Sequence, residues 1–211
     1  ASSRYMMLLL GQSKFAQTFS SSTVDQIPKN LSSQLMYGNM WKIPIPDIDN
    51  TDLFVIIGAN PAASKGSILA HHDTMKGIRE LRARGGQVVV IDPVKTKTAE
   101  YADQWLPVHP GADSALLLAV AQVIFSEGLV KTGHLTELIN GLEKFEAITA
   151  PYTPERVADF CGISALQIKS LARQIASADK AAIYGRIGTC TQEFGSLASW
   201  LVDAIAIITG N

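Results

Sequence analysis

Apolar residues in this chain gather in short unbroken runs, and the stretches between the runs repeat with a helical period. Leu53-Phe54-Val55-Ile56-Ile57 is one run and Val88-Val89-Val90-Ile91 is another. Runs of this length without polar alternation fit strands of a parallel sheet, covered on both faces. The pattern between them predicts a helix from about Ser67 to Arg84. Met75, Ile78, Leu81 and Arg82 share one face, Lys76, Arg79, Glu80 and Arg84 take the solvent side, and Gly85-Gly86 closes it. Trp105-Leu106-Pro107-Val108 reads as a short third strand and Ala181-Ala182-Ile183-Tyr184-Gly185 as a fourth. The predicted fold is α/β, a Rossmann-like parallel sheet with helices on both faces.

The remaining segments fill in around this frame. Tyr5 to Leu10 is apolar, and periodicity leaves strand and helix open. Residues 18–25 are polar and read as a loop. Pro28, followed by Leu31, Leu35 and Met36, suggests a short helix ending near Gly38. Thr96 to Asp103 suggests one or two helical turns. Ala115 to Phe125 is apolar nearly all round and predicts a buried helix, with Asp113 or Ser114 as its N-cap. Thr153-Pro154 opens a helix, Ser164-x-x-Gln167 forms a capping box before another, and Leu197 to Ile208 forms the last. Gly185 to Gln192 reads as a loop rich in glycine and threonine. All 211 residues are taken as one α/β unit, with a weak candidate seam near residues 141–154.

Composition narrows the function. A net charge of −1 gives no electrostatic reason to expect nucleic acid or an anionic membrane surface as partner. No apolar run approaches the ~20 residues of a membrane helix. The run after Arg4 is too short for a secretory leader and lacks a cleavage site, so the cytoplasm is the expected compartment. Cys161 and Cys190 alone make neither a disulfide framework nor a metal site, and both are expected to be buried or inert thiols. His71 and His72, as neighbours, point apart on a helix and do not chelate; they are read as a solvated helix start. Nucleophile-elbow, zinc-protease and P-loop motifs are absent, and so is the strict G-x-G-x-x-G fingerprint.

What remains is at the strand ends. Gly58 permits a close backbone approach, Asn60 and Ser64 place small polar groups just past the first strand, and Asp92 closes the second. An acid there can accept from ribose hydroxyls, so strand, helix and acid together make a nucleotide-binding half-fold.

Four motifs in order are similar to those of the molybdopterin oxidoreductases, the large subunits related to formate dehydrogenase and dimethyl sulfoxide reductase. They are Gly58-Ala59-Asn60-Pro61-Ala62-Ala63-Ser64, Ile91-Asp92-Pro93-Val94-Lys95-Thr96-Lys97-Thr98-Ala99, Ala102-Asp103-Gln104-Trp105-Leu106 and Pro110-Gly111-Ala112-Asp113-Ser114-Ala115-Leu116. Gly185-Arg186-Ile187-Gly188-Thr189-Cys190-Thr191-Gln192 and Thr209-Gly210-Asn211 resemble the same family, so the likeness runs from about residue 20 to the end. It implies a molybdopterin guanine dinucleotide, carrying molybdenum or tungsten, as cofactor. By the same resemblance, Gly58, Asn60 and Ser64 would contact its phosphates or pterin and Asp92 would hold the guanosine ribose. Lys95 would lie near the dinucleotide, and Gly111 would keep the turn clear of side chains. Asp113 would accept from the guanine N1–H and exocyclic amine, while Gly188 and Gln192 would approach a pterin.

The departures are as informative. Val94 stands where the family usually has arginine. The family's iron–sulfur cysteines, its metal-ligating residue and its closing carboxyl-terminal domain are not recognised here. The chain is therefore read as an internal fragment, inactive alone and prone to self-association. Its parent would act on a small redox substrate, formate among the candidates, with a 4Fe-4S cluster elsewhere and further domains or electron-transfer subunits as partners. Two alternatives stand beside this: a cofactor-free electron-transfer scaffold like the large subunit of respiratory NADH dehydrogenase, and an unrelated nucleotide-binding domain.

Overall fold

A computed structural model describes residues 2–12 and 19–211. In chain order the elements are α1 (Ser2–Gln12), α2 (Ser22–Asp25), α3 (Ile27–Tyr37), β1 (Leu53–Ile57), α4 (Pro61–Ser64), α5 (Thr74–Ala83), β2 (Gln87–Ile91), α6 (Lys97–Glu100), β3 (Gln104–Leu106) and α7 (Asp113–Ser126). They continue with α8 (Leu142–Thr149), α9 (Pro154–Cys161), α10 (Ala165–Ser177), β4 (Ala181–Gly185), α11 (Ile187–Cys190) and α12 (Gly195–Thr209).

The four strands form one parallel sheet in the order β3-β2-β1-β4, with Val55 opposite Val89 on one side and Ile183 on the other. Every residue of β1 is buried, because period-two side chains of a central strand enter two different cores. Leu53, Val55 and Ile57 join the larger core, built with α7, α9, α10 and α12. Phe54 and Ile56 join a smaller core with Ile78 and Leu81 of α5. Helices therefore cover both faces, as the run pattern predicts. Phe145 of α8 and Val157 of α9, on either side of residues 150–153, belong to the same large core. Both cysteines are buried free thiols. Among the described residues no helix is long and apolar enough to cross a membrane.

Several expectations need correction. The helix expected from Ser67 begins at Thr74, where the Asp73 side chain accepts from the Lys76 N–H at 2.9 Å. Upstream of it stands only a 3-10 turn, Ser67–Leu69, and Lys65, Ser67 and Ala70 hold left-handed φ angles, which a continuous α-helix does not accommodate. His71 and His72 consequently precede the helix. Their rings stack at 4.7 Å, and His71 Nδ1 accepts from the Asp73 N–H while Nε2 donates to Asp49. Residue 18 lies outside the described residues, but Ser22–Asp25, expected as loop, forms a helical turn. Gly185–Gln192 likewise contains the turn α11. The apolar run at Tyr5–Leu10 is helical.

Helix α3 forms where Pro28 and Gly38 predict it, yet it faces the other way from an ordinary surface helix. It buries Lys29, Asn30, Ser32 and Ser33 and leaves Leu31 and Leu35 exposed. The cause lies on α12: Asp203 is 6% exposed, and Lys29 Nζ reaches its Oδ1 at 3.2 Å. A buried carboxylate needs a paired cation, and this pair fixes the rotation of α3.

Candidate functional site at the carboxyl edge of the sheet

From β1 the chain passes to β2 and β3, then returns to pair β4 with the opposite side of β1. The reversal lies between β1 and β4, and ligands of open α/β sheets bind beyond the strand ends at such a point. Here the loops after β1 and β4 are joined by their backbones. The Gly188 N–H donates to Gly58 O at 2.9 Å, and the Arg186 N–H donates to Ile57 O at 3.2 Å. A Cβ on Gly58, whose φ is +55°, would stand 2.8 Å from Gly188 Cα; one on Gly188 would stand 2.7 Å from Gly58 Cα. The close approach expected of Gly58 is real, and the Gly188 backbone is one partner in it. Both positions require glycine for chain-to-chain packing.

Gln192, just beyond α11, carries the junction to α7. Its Nε2 donates to Asp113 Oδ2 at 3.0 Å and to Gly188 O at 3.0 Å. Its Oε1 is buried with no hydrogen-bond partner among the described residues. Asp113 is 5% exposed. It is not the N-cap that its position suggests: Ala112 occupies that place, and the Asp113 carboxylate turns across the sheet edge to Gln192 instead. Burial pushes its carboxyl up from the usual range against the hydrogen bonds from Gln192 and its own N–H, and the charge of Asp92 adds to the rise. Asp92 is raised as well, by burial, while the Val94 N–H on its Oδ1 at 2.9 Å opposes the shift. Below Asp113, burial and then the Asp113 charge push the Cys161 thiol up to about 11.

The other expected residues divide. Asn60 Oδ1 is held by Thr98 Oγ1 at 2.8 Å, and Thr98 Oγ1 in turn accepts from the Ala62 N–H at 3.1 Å. That relay ties the β1 loop to α6 and leaves the Asn60 amide nitrogen and the second lone pair of Oδ1 for a ligand. Ser64 is exposed at the end of α4. Lys95 is exposed, its Nζ 5.9 Å from the ring centre of Trp105, whose Nε1 donates to Asp92 O. Gly111 has φ +82° with nothing within 4 Å of a built Cβ, so its backbone angle demands glycine and the space beside it is open. Gly58, Gly188, Gln192, Asp113 and Asp92 thus come together, whereas Asn60 is engaged by Thr98 and Ser64 and Lys95 are exposed. Val94, in place of an arginine, is 65% exposed. Among the described residues, no group of three or more His, Cys, Asp or Glu side chains is placed to hold a metal ion.

Three contributors carry no local signal of their role in the sequence. Thr98 is fully buried beneath Asn60, and Trp105 positions Asp92. Arg186, at the tip of β4, gathers three segments: Nε donates to Ser67 Oγ at 2.9 Å, and a terminal nitrogen donates to Gln26 Oε1 at 2.8 Å and to Asp25 O at 3.5 Å. Nothing local marks these roles; each depends on a partner at least 13 residues away.

Comparison with known proteins identifies the family. A profile of the molybdopterin oxidoreductases matches residues 2–211. Formate dehydrogenase H of Escherichia coli is 35% identical over 167 residues, covering 79% of this chain and 22% of that protein. Dimethyl sulfoxide reductase DmsA of Haemophilus influenzae is 31% identical over 198 residues, covering 83% of this chain and 24% of that one. The solved acetylene hydratase of Pelobacter acetylenicus superposes with a TM-score of 0.78 over 98% of this chain and 27% of its own, at 24% identity, which supports the fold. The chain therefore spans about a quarter of the length of these proteins, and it belongs to the molybdopterin oxidoreductase family.

Proposed function

We propose that the carboxyl edge of this sheet holds the guanosine end of a molybdopterin guanine dinucleotide, in a parent oxidoreductase that moves electrons or an oxygen atom at molybdenum or tungsten. The observation that carries this is the Asp113–Gln192 pair at the switch point. A carboxylate held almost out of water, beside a buried amide oxygen with no partner, is an unfinished polar site. Guanine offers the matching chemistry, two adjacent N–H donors for a carboxylate and further edge groups for an amide.

The residues present fit such a group. The space around a Cβ on Gly111, two residues before Asp113, is open. Asp92, one oxygen of which is held by Val94, keeps the other for ribose hydroxyls. A guanine edge must share or displace Gln192 Nε2 to reach Asp113 Oδ2. The bound cofactor supplies the redox chemistry, and the protein supplies orientation and electrostatics. Formate is one candidate substrate, on the likeness to formate dehydrogenase H. On this reading a 4Fe-4S cluster and the redox partners belong to other parts of the parent.

Calorimetric titration of the chain with GDP, and with ADP as control, tests the proposal. GDP is expected to bind about tenfold tighter or better, the worth of one charge-assisted hydrogen bond. Equal affinities would overturn the guanine assignment and favour a cofactor-free scaffold related to the large subunit of respiratory NADH dehydrogenase.

A further inference from the structure

A second cavity opens at the opposite, amino-terminal edge of the sheet, between β4, α12 and residues 44–51. Its volume is about 550 Å³, within the ordinary range for small-molecule sites. Ile45, Ile183 and Ile207 form apolar walls. At its base lies Asp203 of α12, whose side chain is 5% exposed. Lys29 Nζ occupies Oδ1, but Oδ2 is buried without a hydrogen-bond partner among the described residues. Asp47 and Asp179 also line the cavity, against the single cationic lining residue Lys180. The Tyr37 phenol, which lines it too, is pushed well up by burial and by the Asp203 charge, so it remains a protonated donor.

These features select a ligand class. An unpaired oxygen on a buried carboxylate calls for a strong donor. With Lys29 on Asp203 counted, three carboxylates face two ammoniums, and the remaining negative charge favours a cation over a neutral donor. A bare metal ion is poorly served, because only one buried carboxylate oxygen is free and no three-ligand cluster stands among the described residues. A lone water needs only ~30 Å³, far less than this space. We propose that this amino-edge cavity is a second binding site, for a small organic cation whose ammonium or amidinium head meets Asp203 Oδ2 while its apolar body fills the space between Ile45, Ile183 and Ile207. The site lies at the far end of the strands from the dinucleotide region and is independent of how that region is read.

Benzamidine is the probe and benzyl alcohol, similar in size but neutral, is the control. Binding to the full chain is followed by amide chemical shifts. Benzamidine is expected to bind at least about tenfold tighter than benzyl alcohol, shifting Ile183 and Asn211 but not Gly188 or Gln192. Replacing Asp203 alone would strand the buried Lys29, so the informative variant is Lys29→Met/Asp203→Leu, which removes both charges. It should bring benzamidine down to the level of benzyl alcohol. Ala206→Phe, from the cavity wall, should abolish both and decides the matter if the double variant fails to fold. Equal affinities in the native chain, shifts confined to Gly188 and Gln192, or binding that survives Ala206→Phe would overturn the proposal.

Discussion

Replacing Asp113 with asparagine should move affinity and stability in opposite directions. In the native chain the carboxylate is 5% exposed, with the Gln192 amide at 3.0 Å on one oxygen. Its carboxyl is raised by burial above the usual 3.8, so the folded state holds the proton more firmly than the unfolded one. The sign follows by linkage. The folded state is favoured by this group below pH 3.8, and that advantage is lost as pH rises through the raised folded value. At pH 7 the chain carries a charge it would fold better without. Asparagine removes the charge, keeps the shape and can still accept from Gln192. A gain on the order of 1 kcal/mol is expected at neutral pH, typical of relieving a strained functional position. That corresponds to a rise of roughly 2–4 °C in melting temperature for a chain of this size.

Guanine binding should suffer. A carboxylate can accept both guanine donors, whereas an asparagine amide presents one acceptor and a clashing donor. Loss of one charge-assisted bond, ~1.5–3 kcal/mol, weakens GDP by about tenfold to a hundredfold or more and leaves ADP unchanged. Melting curves at pH 7 and pH 3, paired with GDP and ADP calorimetry, check both halves. The stability gain must vanish at pH 3, where the native carboxyl is protonated too. A variant that keeps its preference for GDP refutes the role of Asp113. A variant no more stable than the parent at pH 7 refutes the desolvation argument.

Other perturbations test the scaffold. Gly188→Ala drives a methyl to 2.7 Å from Gly58 Cα and should cost about 1–3 kcal/mol by overpacking. Gly111→Ala meets nothing and should cost only about 1 kcal/mol, for its positive φ; denaturant melts that rank the two in the reverse order would contradict this. Thr98→Val breaks the relay among Asn60, Thr98 and Ala62 and should destabilise by roughly 1–3 kcal/mol, because Asn60 Oδ1 and the Ala62 N–H lose their partner. Cys161, buried and with its thiol pushed up to about 11, should resist iodoacetamide at pH 8 in the folded chain and react on unfolding, as followed by mass spectrometry.

Most of the fold could be read from local pattern, because the strands at Leu53 and Val88 and the helix at Ala115 carry signals within a dozen residues. Legibility failed where distant partners decide. The predicted helix start at Ser67 comes seven residues early, and there Tyr184 Oη on Gly66 O and Arg186 on Ser67 Oγ accompany left-handed φ angles and a single 3-10 turn instead of an α-helix. Asp113 looks like a cap, but its carboxylate meets an amide 79 residues away. Helix α3 announces itself through Pro28 and Gly38, while its rotation answers to Asp203, 174 residues from Lys29.

The sheet order explains why both site regions escape local reading. Had β4 been added beyond β3, Gln192 would have been carried away from β1, and the Gly58–Gly188 contact could not form. Placing β4 on the far side of β1 does two things at once. At the carboxyl end it brings α11 and Gln192 over the loop of β1 and against Asp113. At the amino end it sets Ala181–Ile183 beside residues 44–51 and Asp203, which opens the second cavity. A register slip between β1 and β4 would therefore disturb both regions together. Substitutions confined to α3 or Asp203 should spare the carboxyl edge, and GDP titration of Lys29→Met/Asp203→Leu measures that separation directly. Unchanged GDP affinity is expected, and a parallel loss would mean that the two ends of the sheet are coupled through β4.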